Sequence, residues 1–570
     1  MKTTTWLRTV FALTIATAAS ACADDPSDVR VVAPPAGETA GETAAADAAP
    51  TTRDDLPLVD LTEVPSGDEN YPVVEVEAND NTFGANAVIR VRPGTEVVWT
   101  NVGRNDHNII PLEPSKQFGV GQQAFTPGDE HEFTFDEPGV FAYYCDIHGT
   151  KDEGMVGTVV VGDGEYPPVA SPDAAAAEEQ AVLEGTIKVP SQVATIQEAV
   201  DRAAPGALVL VAPGVYHEAV EVTTDDIVIR GEDRNETVLD GEFELSNGFK
   251  VLADGVAIEN ITAKNYTANG FFWTGVSGYR GSYINAVNNG DYGVYAFDSV
   301  HGQFDHSYAS GSPDSGFYIG QCEQCDALVT DVTAEYNQLG YSGTNASEVV
   351  IVNSLWQNNR AGIVPNTLDS EKYPPVARVT LIGNTVIDND NGDASQAKTA
   401  EFDALFGVGI AIPGGIDSII ERNYIAGQLN AGIAIAPNPL DTYWPSFGIR
   451  VVGNVIRDTG AAGFDLVSLV PEDGPSCFEG NEFTTSAPLD IETVFPCDGE
   501  PAALETLQGR ADLAPYLDTS DNPKGKPYQE QPEPAAQPNM PKALTAPAVP
   551  AKPGVVPMKV DLDAIKVPTP

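Results

Sequence analysis

Positive charge is scarce in this sequence. Thirty Lys and Arg stand against 83 Asp and Glu, for a formal net charge of −53. A nucleic-acid partner is excluded on that ground, because phosphate binding draws on a basic surface that displaces counterions. Long apolar runs are missing too. No stretch after the N-terminal 21 residues reaches the roughly 18 apolar residues that a membrane-spanning helix needs. The Leu-x-x-Leu-x-Leu frame of leucine-rich repeats is absent. Methionine is rare, and Met155 is the only one between the initiator and the Pro-rich C-terminal stretch. Cysteine occurs six times, at 22, 145, 322, 325, 477 and 497.

What is present divides the chain into segments. Residues 1–21 have a basic start, Lys2 and Arg8, then an apolar run from Val10 to Ala19, as an export signal does. Ala19-Ser20-Ala21-Cys22 resembles a bacterial lipobox. That resemblance implies cleavage before Cys22, acylation of its thiol, and an exported chain at the cell surface or in the periplasm, held to a membrane by lipid. Ala19 stands where Leu is more usual, so ordinary signal cleavage stays open. Residues 22–66 read as a disordered acidic tether. Residues 67–163 carry alternating stretches such as Val73-Val74-Glu75-Val76-Glu77-Ala78 and Glu96-Val97-Val98-Trp99-Thr100, punctuated by Pro93-Gly94 and Pro138-Gly139. The expectation is a small β-sandwich. Residues 164–183 form a linker, 184–515 a long second region, and 516–570 a Pro-rich tail expected to be extended and poorly packed.

The second region repeats. Gly followed by an apolar residue recurs at 248, 270, 293, 316, 340 and 362, and the rhythm resumes at 407, 432 and 463. Asn353, Asn384, Asn423 and Asn454 take matching turn places. Short strands with Gly and Asn turns every 20–25 residues predict a β-solenoid with stacked asparagines. The entry carries Thr195-Ile196-Gln197-Glu198-Ala199-Val200, Ala212-Pro213-Gly214-Val215-Tyr216 and Leu239-Asp240-Gly241. It resembles the right-handed parallel β-helix proteins of the pectate-lyase-like superfamily, which includes NosD-like copper-maturation proteins. The resemblance implies a fold and no single activity.

The smaller domain carries the metal chemistry. His107 follows the strand ending at Asn101. Pro138-Gly139 leads through Tyr143-Tyr144 to Cys145, and His148 and Met155 come next, before Thr158-Val159-Val160-Val161. A packed thiol, a disulfide half or a zinc pair accounts for a lone Cys-x-x-His. The additional His107 and Met155 at strand ends favour copper, which takes two imidazoles, a thiolate and a weak thioether. Over nearly the whole of 67–163 the sequence resembles the cupredoxin family of plastocyanin and pseudoazurin. The resemblance implies one type 1 copper ion held by His107, Cys145, His148 and Met155, and electron exchange through an exposed edge of His148. The loop between His148 and Met155 is longer here, through Thr150-Lys151-Asp152-Glu153, which bears on Met155 as the axial ligand. With Cys22 and Cys145 so assigned, closeness in sequence pairs Cys322 with Cys325 and Cys477 with Cys497.

The solenoid offers less. His217, His301 and His306 lack a third ligand at metal spacing, so exposed turn histidines are expected. Cys322-x-x-Cys325 reads as a structural disulfide rather than a redox pair. The Gln-Asp-Thr element of pectin esterases and the Asn-Thr-Asp element of polygalacturonases are not evident. Insertions at Leu368–Arg378, Asn391–Phe406 and near Pro439–Gly448 could wall a groove, with Tyr373, Phe402, Tyr443 and Trp444 stacking on a polysaccharide; loop packing is the plainer alternative. Three functions follow. The first is an electron carrier with a redox partner protein, its β-helix a binding scaffold rather than an enzyme. The second is a copper-delivery protein of NosD-like type, and the third a polysaccharide lyase or hydrolase with an accessory copper domain. The fold expected throughout is all-β: a Greek-key cupredoxin sandwich followed by a right-handed parallel β-helix.

Overall fold

The computed structural model describes residues 30–31, 53, 56–62, 73–79, 82–163 apart from 104, 114, 152 and 153, 182–499 apart from 398–399 and 470–475, and 519–569. The expected export signal, Cys22, most of the tether and most of the linker lie outside the described residues. No described helix is long and apolar enough to cross a membrane.

The first domain is a sandwich of a four-stranded and a five-stranded sheet. Alternation builds it. In Val73–Ala78, Val74, Val76 and Ala78 are buried and Glu77 is exposed, as period-two side-chain placement demands. Val73–Ala78 runs parallel to Thr95–Asn101, which pairs antiparallel with Glu130–Phe135. In the facing sheet Val88–Val91 pairs with Gly154–Val161, and that strand with Gly139–Gly149. Trp99, Phe118, Phe135 and Tyr143 fill the space between, with ring centroids 5.5–6.4 Å apart. Gly157 is dictated by this packing: a Cβ there would meet Tyr143 Cζ at 2.3 Å.

The tether expectation needs correction where its residues are described. Arg30–Val31 adds to the edge of one sheet beside Val73, and Val59–Asp60 to the edge of the other beside Ile89. Arg53 is buried, its guanidinium donating to the carbonyls of Tyr143 (3.0 Å), Lys151 (2.7 Å) and Gly157 and to Thr158 Oγ1 (3.1 Å). Unpaired sheet edges and strand-end carbonyls are strong acceptors for such segments.

The second domain is a right-handed parallel β-helix of three sheets with 12, 10 and 11 strands, its crossovers following the usual hand of parallel connections. A short helix, Ile196–Arg202, closes its first coil; Thr195 Oγ1 accepts from the Glu198 N–H at 3.1 Å, and Ile196, Ala199 and Val200 face the core. Inward residues stack coil upon coil. In the third sheet one column runs Phe249, Phe271, Val294, Phe317, Tyr341, Ile363, Ile410, Ile433 and Leu466.

The glycine rhythm marks this sheet, because backbones approach too closely for a Cβ. On Gly362 a Cβ would lie 2.2 Å from the Gly409 carbonyl oxygen. The stacking member is therefore Gly409 and not Gly407, which instead takes a turn with φ of 73°. Asp465, rather than Gly463, follows Gly432 in the stack. The asparagine ladder likewise runs Asn384, Asn423, Asn454, Asn481, each side-chain amide reaching the next at 2.9–3.0 Å. Asn353 sits one place earlier, in a left-handed turn, and Ser354 holds the position below Asn384.

The tail is extended, but it is well packed. Arg230 donates to the carbonyls of Ala543, Ala546 and Pro547, Arg234 to Pro538, and Arg360 to Pro523. Ala551 and Val556 are buried against Val228 and Ala257. Proline removes donors from the tail and leaves its carbonyls free, and the solenoid's buried guanidiniums use them.

Candidate metal centre

Two loops at one end of the sandwich converge. Asn101, ending its strand, donates from Nδ2 to the Asn105 carbonyl (2.9 Å) and the Phe125 carbonyl (3.0 Å), while the His107 N–H donates to the same Phe125 oxygen (3.1 Å). This fixes the turn that carries His107. The two loops are then tied to each other beside the site. Asn108 Nδ2 donates to Asp146 Oδ1 at 2.5 Å, and the Asp146 N–H donates back to Asn108 Oδ1 at 3.0 Å. Each partner is the neighbour of a candidate ligand, so the pair sets the separation of His107 and Cys145.

The result is a closed triangle. Cys145 Sγ lies 3.7 Å from His107 Nδ1 and 3.7 Å from His148 Nδ1, and the two nitrogens are 3.1 Å apart. Among the described residues this is the one group of three or more His, Cys, Asp or Glu side chains that could hold a metal ion. Three atoms so spaced can each reach a common ion at bonds of about 2.0–2.3 Å. A thiolate with two imidazoles is a soft donor set suited to copper. All three side chains are buried. Burial foremost, then the Asp146 carboxylate, pushes the Cys145 thiol up to about 12, while the N–H groups of Asn108, His148 and Ile147 pull it down. Those N–H groups favour a thiolate that burial opposes, and a metal cation in place of the proton would offset the cost of burying its charge. Met155 is buried in the same core cluster as Cys145 and Ile147, at the start of Gly154–Val161.

One expectation fails. His148 is 2% exposed and offers no open edge. The β-helix docks beside this end of the sandwich. Ala268, on a β-helix turn, belongs to the sandwich core cluster, and Gln122 exchanges hydrogen bonds with Thr267 at 2.9 and 3.1 Å. Lys250 Nζ reaches over to donate to the carbonyls of Asp146 (3.0 Å) and Gly149. Beside this contact lies a cleft of about 640 Å³ walled by Tyr144, Asp146, Lys151, Glu221 and Asn247. The sequence reading missed these contacts. The signal was there: Lys250, Phe272, Tyr295 and Tyr318 form an outward column of the third sheet, and aromatics on an outer face mean that the face is covered.

The remaining sites fall into place as structure. Cys322–Cys325 and Cys477–Cys497 are disulfides with Cα–Cα distances of 5.2 and 4.7 Å. Cys322 and Cys325 are buried, away from exchange partners. His301 and His306 sit on left-handed turns and contact Asp326 (3.1 Å) and Asp305 (2.9 Å), and His217 is exposed.

The insertions expected to wall a groove lie at two places on the β-helix. The Leu368–Arg378 and Pro439–Gly448 insertions share the corner between the third and first sheets, where Asp369 accepts from Trp444 Nε1 at 2.7 Å. Tyr373 is half-buried and Tyr443 exposed there. Phe402 lies in Ala400–Leu405, at the opposite edge of the third sheet. That insertion lays Ala397 and Leu405 over Leu339, Ala361 and Val364.

Fold and site together define a cupredoxin domain joined to a parallel β-helix. Residues 72–162 match the model of the plastocyanin/azurin family of copper binding proteins. The chloroplastic plastocyanin of Tetradesmus obliquus is 33% identical over 82 residues, 13% of this chain and 55% of that protein, so the chain spans about half of that relative's length. The plastocyanin of Scenedesmus fuscus is 29% identical over 80 residues, 13% of this chain and 80% of that protein. Among solved structures, the A-module of a mannuronan C-5 epimerase from Azotobacter vinelandii aligns with 50% of this chain and 90% of its own, at 18% identity and a TM-score of 0.39.

Proposed function

We propose that this chain is an exported electron-transfer protein for one type 1 copper ion, which His107, Cys145, His148 and Met155 would hold, with the β-helix as its docking scaffold. The observation that carries the reading is the buried Nδ1–Nδ1–Sγ triangle with edges of 3.1–3.7 Å. Bound copper supplies a one-electron couple. The chain's own residues do the rest. Asn101 and the Asn108–Asp146 pair hold the ligand loops in place before the metal arrives, so a change of oxidation state demands little movement. Burial of the ligands excludes water. Burial also favours a carrier that keeps its metal over a delivery protein that gives it up. Tyr144, next to Cys145, lines the cleft, and it is where the redox partner exchanges electrons. Lipid on Cys22 keeps the protein at a membrane surface in the periplasm or on the cell exterior.

The test is a Cu(II) titration of the full-length chain followed by visible absorption. One equivalent gives an intense thiolate-to-copper band, and Cys145→Ser removes it. A band that persists in Cys145→Ser contradicts the assignment.

A further inference from the structure

We propose that Lys250, on the β-helix, is a positioning residue of the copper centre: its ammonium clamps the loop bearing Cys145 and His148 and sets a fixed positive charge beside the thiolate, so that the β-helix raises the reduction potential of the domain docked on it. This rests on the copper reading above.

Lys250 stands on an outward position of the third sheet, between Glu221 on the preceding coil and Phe272 on the next. A lysine at such a place on a solenoid ordinarily extends into water. This one is 6% exposed. Its Nζ donates to the carbonyl oxygens of Asp146 and Gly149, which bracket Ile147 and His148. Both acceptors belong to the other domain, and both lie on the ligand loop. Taking an ammonium out of water is costly unless acceptors and counter-charges replace the solvent. The two carbonyls supply the first. Glu221, at the matching position of the preceding coil, supplies the second.

The consequence is twofold. The loop from Cys145 to His148 is held from outside its own domain, so its geometry depends on docking. In addition, a copper–thiolate core carries one more positive charge when oxidised than when reduced, so a nearby fixed cation in a medium of low polarity favours the reduced state. Removing the cation lowers the potential. A residue acting only as glue between domains leaves it unchanged.

The experiment is spectroelectrochemical titration of the copper-loaded full-length chain, comparing wild type, Lys250→Met and Lys250→Arg, with Lys250→Gln as the neutral variant if methionine does not fold. The neutral variant shifts the midpoint potential downward and loses copper to a chelator faster than wild type. Lys250→Arg, which keeps charge and donors, moves both back toward wild type. A neutral variant with the wild-type potential overturns the inference, as does an arginine variant displaced as far as the neutral one. Failure of the copper reading looks different: in that case the wild-type chain itself shows no thiolate-to-copper band.

Discussion

Cys145 gathers most of the chemistry into one atom. Its sulfur is buried, two imidazole nitrogens lie 3.7 Å away, and three backbone N–H groups point at it. With the thiol raised to about 12, the sulfur holds its proton at neutral pH when no metal is present. Copper uptake therefore releases that proton. The sign follows directly: lowering pH favours the protonated, metal-free form. Between pH 8 and pH 6 the conditional Cu(II) affinity falls by about tenfold per unit from this one proton, and competition titrations against a chelator of known pH dependence measure it. An affinity independent of pH across that range contradicts a buried thiol as the ligand. His107, Cys145 and His148, which the structure brings together, were legible through the cupredoxin resemblance. The burial of His148 was not legible, since nothing in the local sequence of its loop signals it.

At the scale of the element, the β-helix coil is defined by what its corners tolerate. The glycine stack of the third sheet exists because one coil's Cα faces the next coil's carbonyl, at a separation that leaves no room for a methyl group. Gly362→Ala puts a Cβ 2.2 Å from the Gly409 oxygen and forces the coils apart. It destabilises the β-helix by about 1–3 kcal/mol, measured as a lowered denaturation midpoint. Gly121→Ala, whose Cβ meets nothing within 4 Å, leaves the midpoint within about 0.5 kcal/mol of wild type. Periodicity revealed that such a stack exists, and it placed the members from 248 to 362. It slipped at Gly407 and Gly463, because the insertions change coil length and only backbone contact identifies the stacking residue. The same holds for Asn353. One residue away, Ser354 occupies the ladder, and a left-handed asparagine beside it looks identical in sequence.

On the scale of the molecule, the two domains and the tail form a single packed body. The tail crosses from Arg360 to Arg230 and back to Arg422, closing over solenoid surface that would otherwise expose Val228 and Ala257. Its composition, rich in proline and poor in large apolar residues, gave no sign of this. The partners it satisfies are buried guanidiniums that cannot be recognised as buried from sequence. Deleting residues 519–570 leaves Arg230 with Glu259 alone, at 2.6 Å, and removes the tail acceptors of Arg234. We expect a loss of about 3–5 kcal/mol and faster amide exchange in the first sheet, with little change at the copper ligands. Unchanged exchange in that sheet contradicts the packing role of the tail.

The central claim is that one thiolate and two imidazoles bind a single copper ion in this chain. Electron paramagnetic resonance of the full-length protein with one equivalent of Cu(II) addresses it most directly. A thiolate-bound ion in this site gives the narrow parallel copper hyperfine splitting that comes with strong covalency to sulfur. A wide splitting, from copper ligated only by nitrogen and oxygen, contradicts it.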